Sequence, residues 1–98
     1  SSPAYFFLFL QAMQEEAISM GFDDKTAREM VQQAMLGAAE MVCHNPDIEL
    51  SELRAQVTSK GGTTAAAVNT LLDEGLKETV SKAMRAAVSR AEEMAKQL

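Results

Sequence analysis

A turn with two glycines between hydroxyl side chains is the part of this 98-residue chain best suited to chemistry. The segment reads VTSKGGTT over residues 57–64. Gly61 and Gly62 can adopt positive φ and let a ligand approach the backbone, while Thr63 and Thr64 are suited to cap or open the next helix. Because bare N–H groups at a helix N-terminus bind anions, the turn predicts a carboxylate or phosphate site. The same spacing also fits an ordinary helix-to-helix turn with a Thr N-cap, and this interpretation stays open.

Other reactive side chains form no recognisable catalytic or metal-binding pattern. Cys43 and His44 are adjacent at a predicted helix end, where neighbours point in different directions, and no second pair has ligand spacing. As a general base, His44 lacks a partner that the sequence identifies. The string SKGGTT contains P-loop residue types in the wrong order and follows no predicted strand. The sequence therefore predicts no metal site and does not support an NTPase.

Composition and charge argue against several classes of protein. The chain has 14 acidic and 9 basic side chains, a net charge of −5, and its bases alternate with acids, so we expect no nucleic-acid partner. A single cysteine, Cys43, allows no internal disulfide and fits a reducing compartment, which predicts a cytoplasmic location. The apolar run at residues 4–10 is too short to span a bilayer and lacks the flanks of a signal peptide, so no membrane association is predicted.

Helical periodicity and turn signals predict five helices and no strand. Ser2 is the expected N-cap of the first helix, with Pro3 in its first turn. The first predicted helix runs from its cap at Ser2 to Gly21, and the second starts at Asp23 or Asp24 and is broken by His44, Asn45 and Pro46. The other three run from about Leu50 to Val57, from about Thr63 to Glu74, where Gly75 stops the helix, and from about Leu76 to the C-terminus.

Two of these helices indicate a partner surface. The first is apolar on all sides over residues 4–10, which exceeds what a core of this size can cover. The last has a stripe of mostly small residues that favours close helix packing, within the chain or across a dimer axis. Five methionines follow the apolar stripes and are predicted to lie in the core or in an interface: Met30, Met35, Met41, Met84 and Met94.

Four segments of the chain resemble the C-terminal domain of pyrroline-5-carboxylate reductase. They are SSPAYFFLFLQAM, QAMLGAAEMV, ELRAQVTSKGGTTAAAV and LLDEGLKETVSKAMRAA, in this order, and they cover essentially the whole chain. The resemblance implies an all-α bundle of about five helices that forms an intertwined homodimer, often assembled further into decamers. Such a bundle is the C-terminal domain of a 6-phosphogluconate-dehydrogenase-like reductase. The family reduces 1-pyrroline-5-carboxylate to L-proline with NADPH or NADH.

The resemblance also implies that the complete protein has two domains with different roles. Residues 1–98 are expected to supply dimer contacts and substrate binding, while an N-terminal Rossmann domain, absent from this chain, holds most of the nucleotide. The chain has no GxGxxG and no βαβ pattern, and it begins with Ser1 rather than Met, as expected for a segment of a longer polypeptide. We therefore expect it to be inactive alone. A stand-alone helical dimerisation or adaptor module without catalysis is the alternative interpretation.

In the family, the substrate lies against the glycine turn. The N–H groups around Gly61 to Thr63 and the Ser59 region are expected to hold the substrate carboxylate. The Thr64 hydroxyl is expected to reach the ring nitrogen, where it would orient and polarise the imine. Thr64 is thus the candidate catalytic residue, and the expected substrate-binding residues are Ser59, Gly61, Gly62, Thr63 and Thr64.

One residue of the turn departs from the family pattern. Many members have Pro where this chain has Lys60, and a proline would stiffen the turn by fixing φ. Lys60 adds a positive charge instead, which we expect to attract the anionic substrate without contacting it.

Overall fold

The computed structural model describes residues 2–97, in which it has five α-helices and no strand. This confirms the all-α class and the number of helices predicted from the sequence. Leu98, predicted to lie on the apolar side of the last helix, is outside the described residues. The helices are α1 (Ser2–Ser19), α2 (Asp24–His44), α3 (Leu50–Gln56), α4 (Thr63–Asp73) and α5 (Leu76–Lys96).

The chain divides into two compact units, the first running to Leu53 and the second starting at Arg54. In the first unit α1 packs against α2, and in the second unit α4 contacts α5. Each pair is joined by a short turn, as expected for consecutive helices that pack together. Within residues 2–97, no helix combines the length and the apolar character that crossing a membrane requires.

Gly21 ends the first helix as the sequence predicts. It has a φ of 112°, a left-handed conformation that glycine adopts without strain. The Gly21 N–H donates to the Ile18 carbonyl at 3.0 Å, and the Phe22 N–H donates to the Ala17 carbonyl at 3.2 Å. These two bonds form a Schellman motif, which satisfies carbonyls at the end of α1. At the other end, Ser2 is already the first helical residue rather than the N-cap.

Helix α2 begins behind a carboxylate cap. Asp23 has an extended backbone, with φ −73° and ψ 165°, and its Oδ1 accepts a hydrogen bond from the Thr26 N–H at 2.7 Å. This bond favours the ionised carboxylate, so it lowers the pKa of Asp23 below the ordinary value of 3.8. The prediction that α2 starts at Asp23 or Asp24 is thus resolved in favour of Asp23 as the cap and Asp24 as the first helical residue.

The single chain buries few side chains. Among the described residues only Ala27, Val31 and Leu53 are buried apolar residues. The predicted stripe of α2 is helical, but its Met30 and Met35 remain exposed, as do Met84 and Met94 of α5. These four methionines therefore do not form a core within one chain, and the interface role stays a prediction for them. Cys43 is also exposed.

The chain exposes more surface than two compact proteins of half its mass would. A compact protein of half this chain's 10.6 kDa exposes about 3,300 Å², so two such units, even fully separated, would expose about 6,600 Å². The chain exposes 8,245 Å², which is about 1,600 Å² more. Large apolar side chains are exposed on several helices, and on α1 Phe6, Phe7 and Leu8 are each at least 66% exposed. Exposed apolar patches of this kind are typical of surfaces that bind a partner.

Candidate functional site at the start of helix α4

The glycine turn is a β-turn over residues 59–62. The Gly62 N–H donates to the Ser59 carbonyl at 3.0 Å, which closes the turn. Gly61, at the third position, has a φ of 73°. Lys60, at the second position, has a negative φ, because among the described residues only glycines have a positive one. Positive φ at the third position alone is the pattern of a type II turn. Lys60 occupies the second position, which this turn type favours for proline.

The end of α3 anchors the start of the turn. The Val57 N–H donates to the Arg54 carbonyl at 3.2 Å, and the Thr58 N–H donates to the Ala55 carbonyl at 3.1 Å. The Thr58 hydroxyl donates to the same Arg54 carbonyl. Because these bonds satisfy the carbonyls of Arg54 and Ala55 in the last turn of α3, Ser59 follows closely on an ordered helix end.

Gly62, rather than a threonine, is the N-cap of α4. It has an extended backbone, with φ −87° and ψ −178°, and its carbonyl accepts the Ala66 N–H at 3.2 Å. Thr63 is the first helical residue, so the interpretation of the turn as a Thr-capped helix start is wrong. Being a glycine, Gly62 provides no side chain to bond the first N–H groups of the helix. A Cβ at this position would lie 3.2 Å from the Ser59 carbonyl oxygen, so the site also leaves little room for one.

Three backbone donors therefore lie open at the start of α4. The N–H groups of Thr63, Thr64 and Ala65 precede the first intrahelical bond, which the Ala66 N–H makes. No side chain of the described residues caps them. They also lie at the positive end of the helix dipole, which favours an anion.

The structure pairs one of the predicted donors within the turn and leaves another donor unpaired that the sequence did not predict. The sequence predicted donors around Gly61 to Thr63, but the Gly62 N–H is already paired with Ser59. Ala65, which the sequence interpretation did not include, supplies the third open N–H instead. The first three N–H groups after an N-cap generally have no partner within the helix. With Gly62 as the cap, this rule identifies Ala65 as the third of them.

The local charge also suits an anion. The segment from Arg54 to Leu72 contains two bases, Arg54 and Lys60, and no acid. Lys60, Thr63 and Thr64 are all exposed, so a solute can reach them. The site thus offers backbone donors, one nearby positive charge and the Thr64 hydroxyl.

The described residues do not provide the usual sites for a metal or a dinucleotide. Within residues 2–97, no three His, Cys, Asp or Glu side chains are grouped closely enough to hold a metal ion. The dinucleotide fingerprint requires a strand that leads into a glycine-rich turn, and the same residues contain no strand. The turn at Gly61 instead follows a helix, α3. A nicotinamide nucleotide therefore does not fit this part of the chain in the Rossmann manner.

Fold and turn together define, over the described residues, an all-helical domain with uncovered apolar helices and a helix N-terminus at the glycine turn that no side chain caps. Comparison with known proteins agrees with this class. Residues 1–94 match the family model described as pyrroline-5-carboxylate reductase dimerisation. The chain belongs to this family, which confirms the resemblance found in the sequence.

Individual relatives support the same assignment. The chain is 64% identical over 96 residues to a pyrroline-5-carboxylate reductase of Vibrio alginolyticus, covering 98% of this chain and 35% of that protein. The solved reductase of Coxiella burnetii matches with a TM-score of 0.89 at 43% identity, over 95% of this chain and 34% of that one. The reductase of Plasmodium falciparum, solved with NADP bound, matches with a TM-score of 0.88 at 29% identity, over 95% of this chain and 35% of that one. The chain thus spans about a third of the length of these relatives.

Proposed function

We propose that this chain is the dimerisation and substrate-binding part of an NAD(P)H-dependent pyrroline-5-carboxylate reductase, an oxidoreductase of proline biosynthesis. The complete enzyme would reduce 1-pyrroline-5-carboxylate to L-proline. Family membership over residues 1–94 and the names of the relatives support this proposal. Because the relatives are about three times as long, we place the nicotinamide nucleotide, which supplies the hydride, mainly in a Rossmann domain outside residues 1–98.

The open N-terminus of α4 is the observation that carries the substrate-binding role. A carboxylate can accept hydrogen bonds from the N–H groups of Thr63, Thr64 and Ala65, which have no acceptor in the helix. Gly62 leaves the approach to these donors free of a side chain, and the left-handed conformation of Gly61 permits the turn. The carboxylate of 1-pyrroline-5-carboxylate has the charge and geometry that this arrangement favours.

Thr64 is proposed to orient the reacting bond. With the carboxylate held at the start of α4, the hydroxyl of Thr64 would form a hydrogen bond with the ring nitrogen. Fixing two points of a small rigid ring sets the face of the C=N bond that is presented for reduction. Ser59 would contribute from the first position of the turn, where its carbonyl already fixes Gly62.

The partner of this domain is proposed to be a second copy of the chain. The exposed apolar side chains of α1, together with an α5 that has no buried residue, support an extensive interface. The intertwined form of the dimer, its further assembly into decamers and a cytoplasmic location stay predictions.

Substitution of Thr64 by alanine in the complete reductase tests the proposed site. Loss of the hydroxyl should lower kcat/KM by about tenfold to a hundredfold, the effect of one or two orienting hydrogen bonds. Thr70→Ala is the matched control in the same helix, because the Thr70 hydroxyl donates to the Ala66 carbonyl at 2.9 Å within α4. The control should retain kcat/KM. An unchanged kcat/KM in Thr64→Ala would remove Thr64 from the site.

A further inference from the structure

Thr58, the residue that precedes the glycine turn, is joined to α3 by both its backbone and its side chain. Its N–H donates to the Ala55 carbonyl at 3.1 Å, and its hydroxyl donates to the Arg54 carbonyl. The Arg54 carbonyl also accepts the Val57 N–H at 3.2 Å. Thr58 is half-buried, whereas Val57 and Ser59 on either side of it are exposed. The two bonds from Thr58 tie it to the end of α3 at two points.

The hydroxyl side chains of residues 58–64 differ in whether they have a partner within the described residues 2–97. The Thr58 hydroxyl is bonded, while those of Ser59, Thr63 and Thr64 make no hydrogen bond there. The three unbonded hydroxyls belong to residues already proposed to hold the substrate. A hydroxyl has one proton to donate, and a carboxylate can only accept. Thr58 therefore has no donor left for the substrate carboxylate, and its role must differ from theirs.

Few hydrogen bonds hold the turn itself. The backbone N–H groups at residues 59–61 donate to no group of residues 2–97. The turn is closed by the bond from the Gly62 N–H to the Ser59 carbonyl at 3.0 Å. Gly61 and Gly62 restrict the backbone less than other residues would. The place of Ser59 therefore depends on Thr58, the last residue that hydrogen bonds attach to α3.

The Thr58 hydroxyl can be removed without unpairing the end of α3. The Arg54 carbonyl would keep the Val57 N–H, and the Ala55 carbonyl would keep the Thr58 N–H. Thr58 would then be held by one bond instead of two. The expected result is a turn that still forms but whose first residue, Ser59, is less well placed.

We propose that Thr58 is a positioning residue for the substrate: its hydroxyl, bound to the Arg54 carbonyl, fixes Ser59 relative to the open N–H groups at the start of α4. This inference rests on the substrate-binding role proposed above for the glycine turn. A site for a small anion benefits from such a supporting bond, because groups that are already in place lose less entropy when the ligand binds. Thr58 acts through Ser59 and does not contact the carboxylate. Loss of its hydroxyl should weaken binding of the ground state and the transition state alike, which raises KM and leaves kcat nearly unchanged.

Thr58→Val in the complete reductase tests this role, because valine keeps the branched shape of threonine and lacks the hydroxyl. We expect the KM for 1-pyrroline-5-carboxylate to rise about two- to tenfold, the effect of one hydrogen bond, with kcat within about twofold of the wild type. Thr58→Ser retains a hydroxyl, so its KM should stay within about twofold of the wild type. Thr58→Ala also lacks the hydroxyl, and it provides the same test if the valine variant does not fold.

Thr70→Val is the matched control for the loss of this kind of bond. The Thr70 hydroxyl donates to the Ala66 carbonyl four residues earlier, at 2.9 Å, as the Thr58 hydroxyl does to Arg54. Because the Thr70 bond lies within α4 and does not hold the turn, Thr70→Val should leave KM unchanged. An equal rise of KM in the two valine variants would overturn the positioning role.

Two further results would also overturn it, namely an unchanged KM in Thr58→Val or a rise in Thr58→Ser as large as that in Thr58→Val. The Thr64→Ala variant separates this failure from a failure of the proposed function. If kcat/KM falls in Thr64→Ala while Thr58→Val behaves like the wild type, the substrate site stands and Thr58 does not position it. If kcat/KM is unchanged in both variants, both proposals are wrong.

Discussion

Helices α2 and α4 begin with nearly the same backbone geometry but with opposite chemistry. Asp23 caps α2 with φ −73° and ψ 165°, and Gly62 caps α4 with φ −87° and ψ −178°. The Asp23 carboxylate accepts the Thr26 N–H, so α2 receives its anion from the chain itself. Gly62 offers no acceptor, so the N–H groups that follow it remain open.

The difference shows that the unpaired N–H groups of a first helical turn can be used either to stabilise the helix or to bind a ligand. Every helix starts with N–H groups that lack an intrahelical partner. A carboxylate supplied by the chain satisfies them permanently and stabilises the helix, as at α2. Without one, as at α4, the same donors remain available to a ligand, and the helix start lacks the stabilisation that a capping side chain provides.

The largest expected effect comes from giving α4 the cap that α2 has. Gly62→Asp should place a carboxylate on the open N–H groups, because the backbone of Gly62 is already extended as at Asp23. The introduced carboxylate would compete with that of the substrate. We expect the KM of the complete reductase for 1-pyrroline-5-carboxylate to rise about tenfold to a hundredfold above that of Gly62→Ala, in line with losing hydrogen bonds to a charged group.

Gly62→Ala is the matched control for this substitution. It introduces the same Cβ, which lies 3.2 Å from the Ser59 carbonyl oxygen, but no carboxylate. At a fixed protein concentration, Gly62→Asp should also unfold at a higher temperature than Gly62→Ala, because only the aspartate caps the helix. Equal KM values for the two variants would show that the substrate carboxylate does not bind at the start of α4.

Removing the cap of α2 should affect stability without affecting chemistry. Asp23→Ala should lower the melting temperature and leave kcat/KM unchanged, because the Thr26 N–H loses its acceptor far from any proposed substrate contact in sequence. Thermal unfolding by circular dichroism and steady-state kinetics measure the two quantities. A large fall in kcat/KM would contradict the assignment of Asp23 to a purely structural role.

The pH dependence of this cap follows from the lowered pKa of Asp23. The ionised carboxylate is the form that accepts the Thr26 N–H, so its stabilisation is complete well above the ordinary value of 3.8 and is lost as the pH falls through the lower folded value. Asp23→Asn keeps a capping side chain but does not titrate. The melting temperature of the wild type should therefore fall relative to that of Asp23→Asn only below about pH 4. A constant difference from pH 7 to pH 3 would contradict this assignment.

The smallest expected effect concerns Lys60 in the turn. Lys60→Pro should stabilise the fold by about 0.4–1 kcal/mol, because proline suits the second position of a type II turn and restricts the unfolded chain. It also removes a positive charge beside the proposed site, which should raise KM by about two- to fivefold at low ionic strength and not at high. Lys60→Gln separates the two effects, since it removes only the charge. Equal apparent affinity of the wild type and Lys60→Pro at every ionic strength would contradict the attraction of substrate by Lys60.

Local sequence signals predicted the helices because each signal acts within a few residues. Gly21 and Gly75 mark helix boundaries and have φ values of 112° and 91°, which glycine adopts more readily than other residues. Pro46 follows the end of α2, because proline disfavours helix at the residue before it. The N-cap of α4 was harder to predict, since threonine and glycine are both accepted at that position and the turn hydrogen bond from Gly62 to Ser59 decides between them.

The sequence by itself determined the helical class and the family, and it indicated the segment of the proposed site, since periodicity, turn residues and ordered motifs can all be read along the chain. Only the tertiary structure decided which donors of that segment are open and which apolar stripes are covered. The stripe of α2 and that of α5 look alike in sequence, yet α2 buries Ala27 and Val31 while α5 buries nothing. Burial depends on which surface lies opposite a helix, and a helix does not specify its partner through its own periodicity.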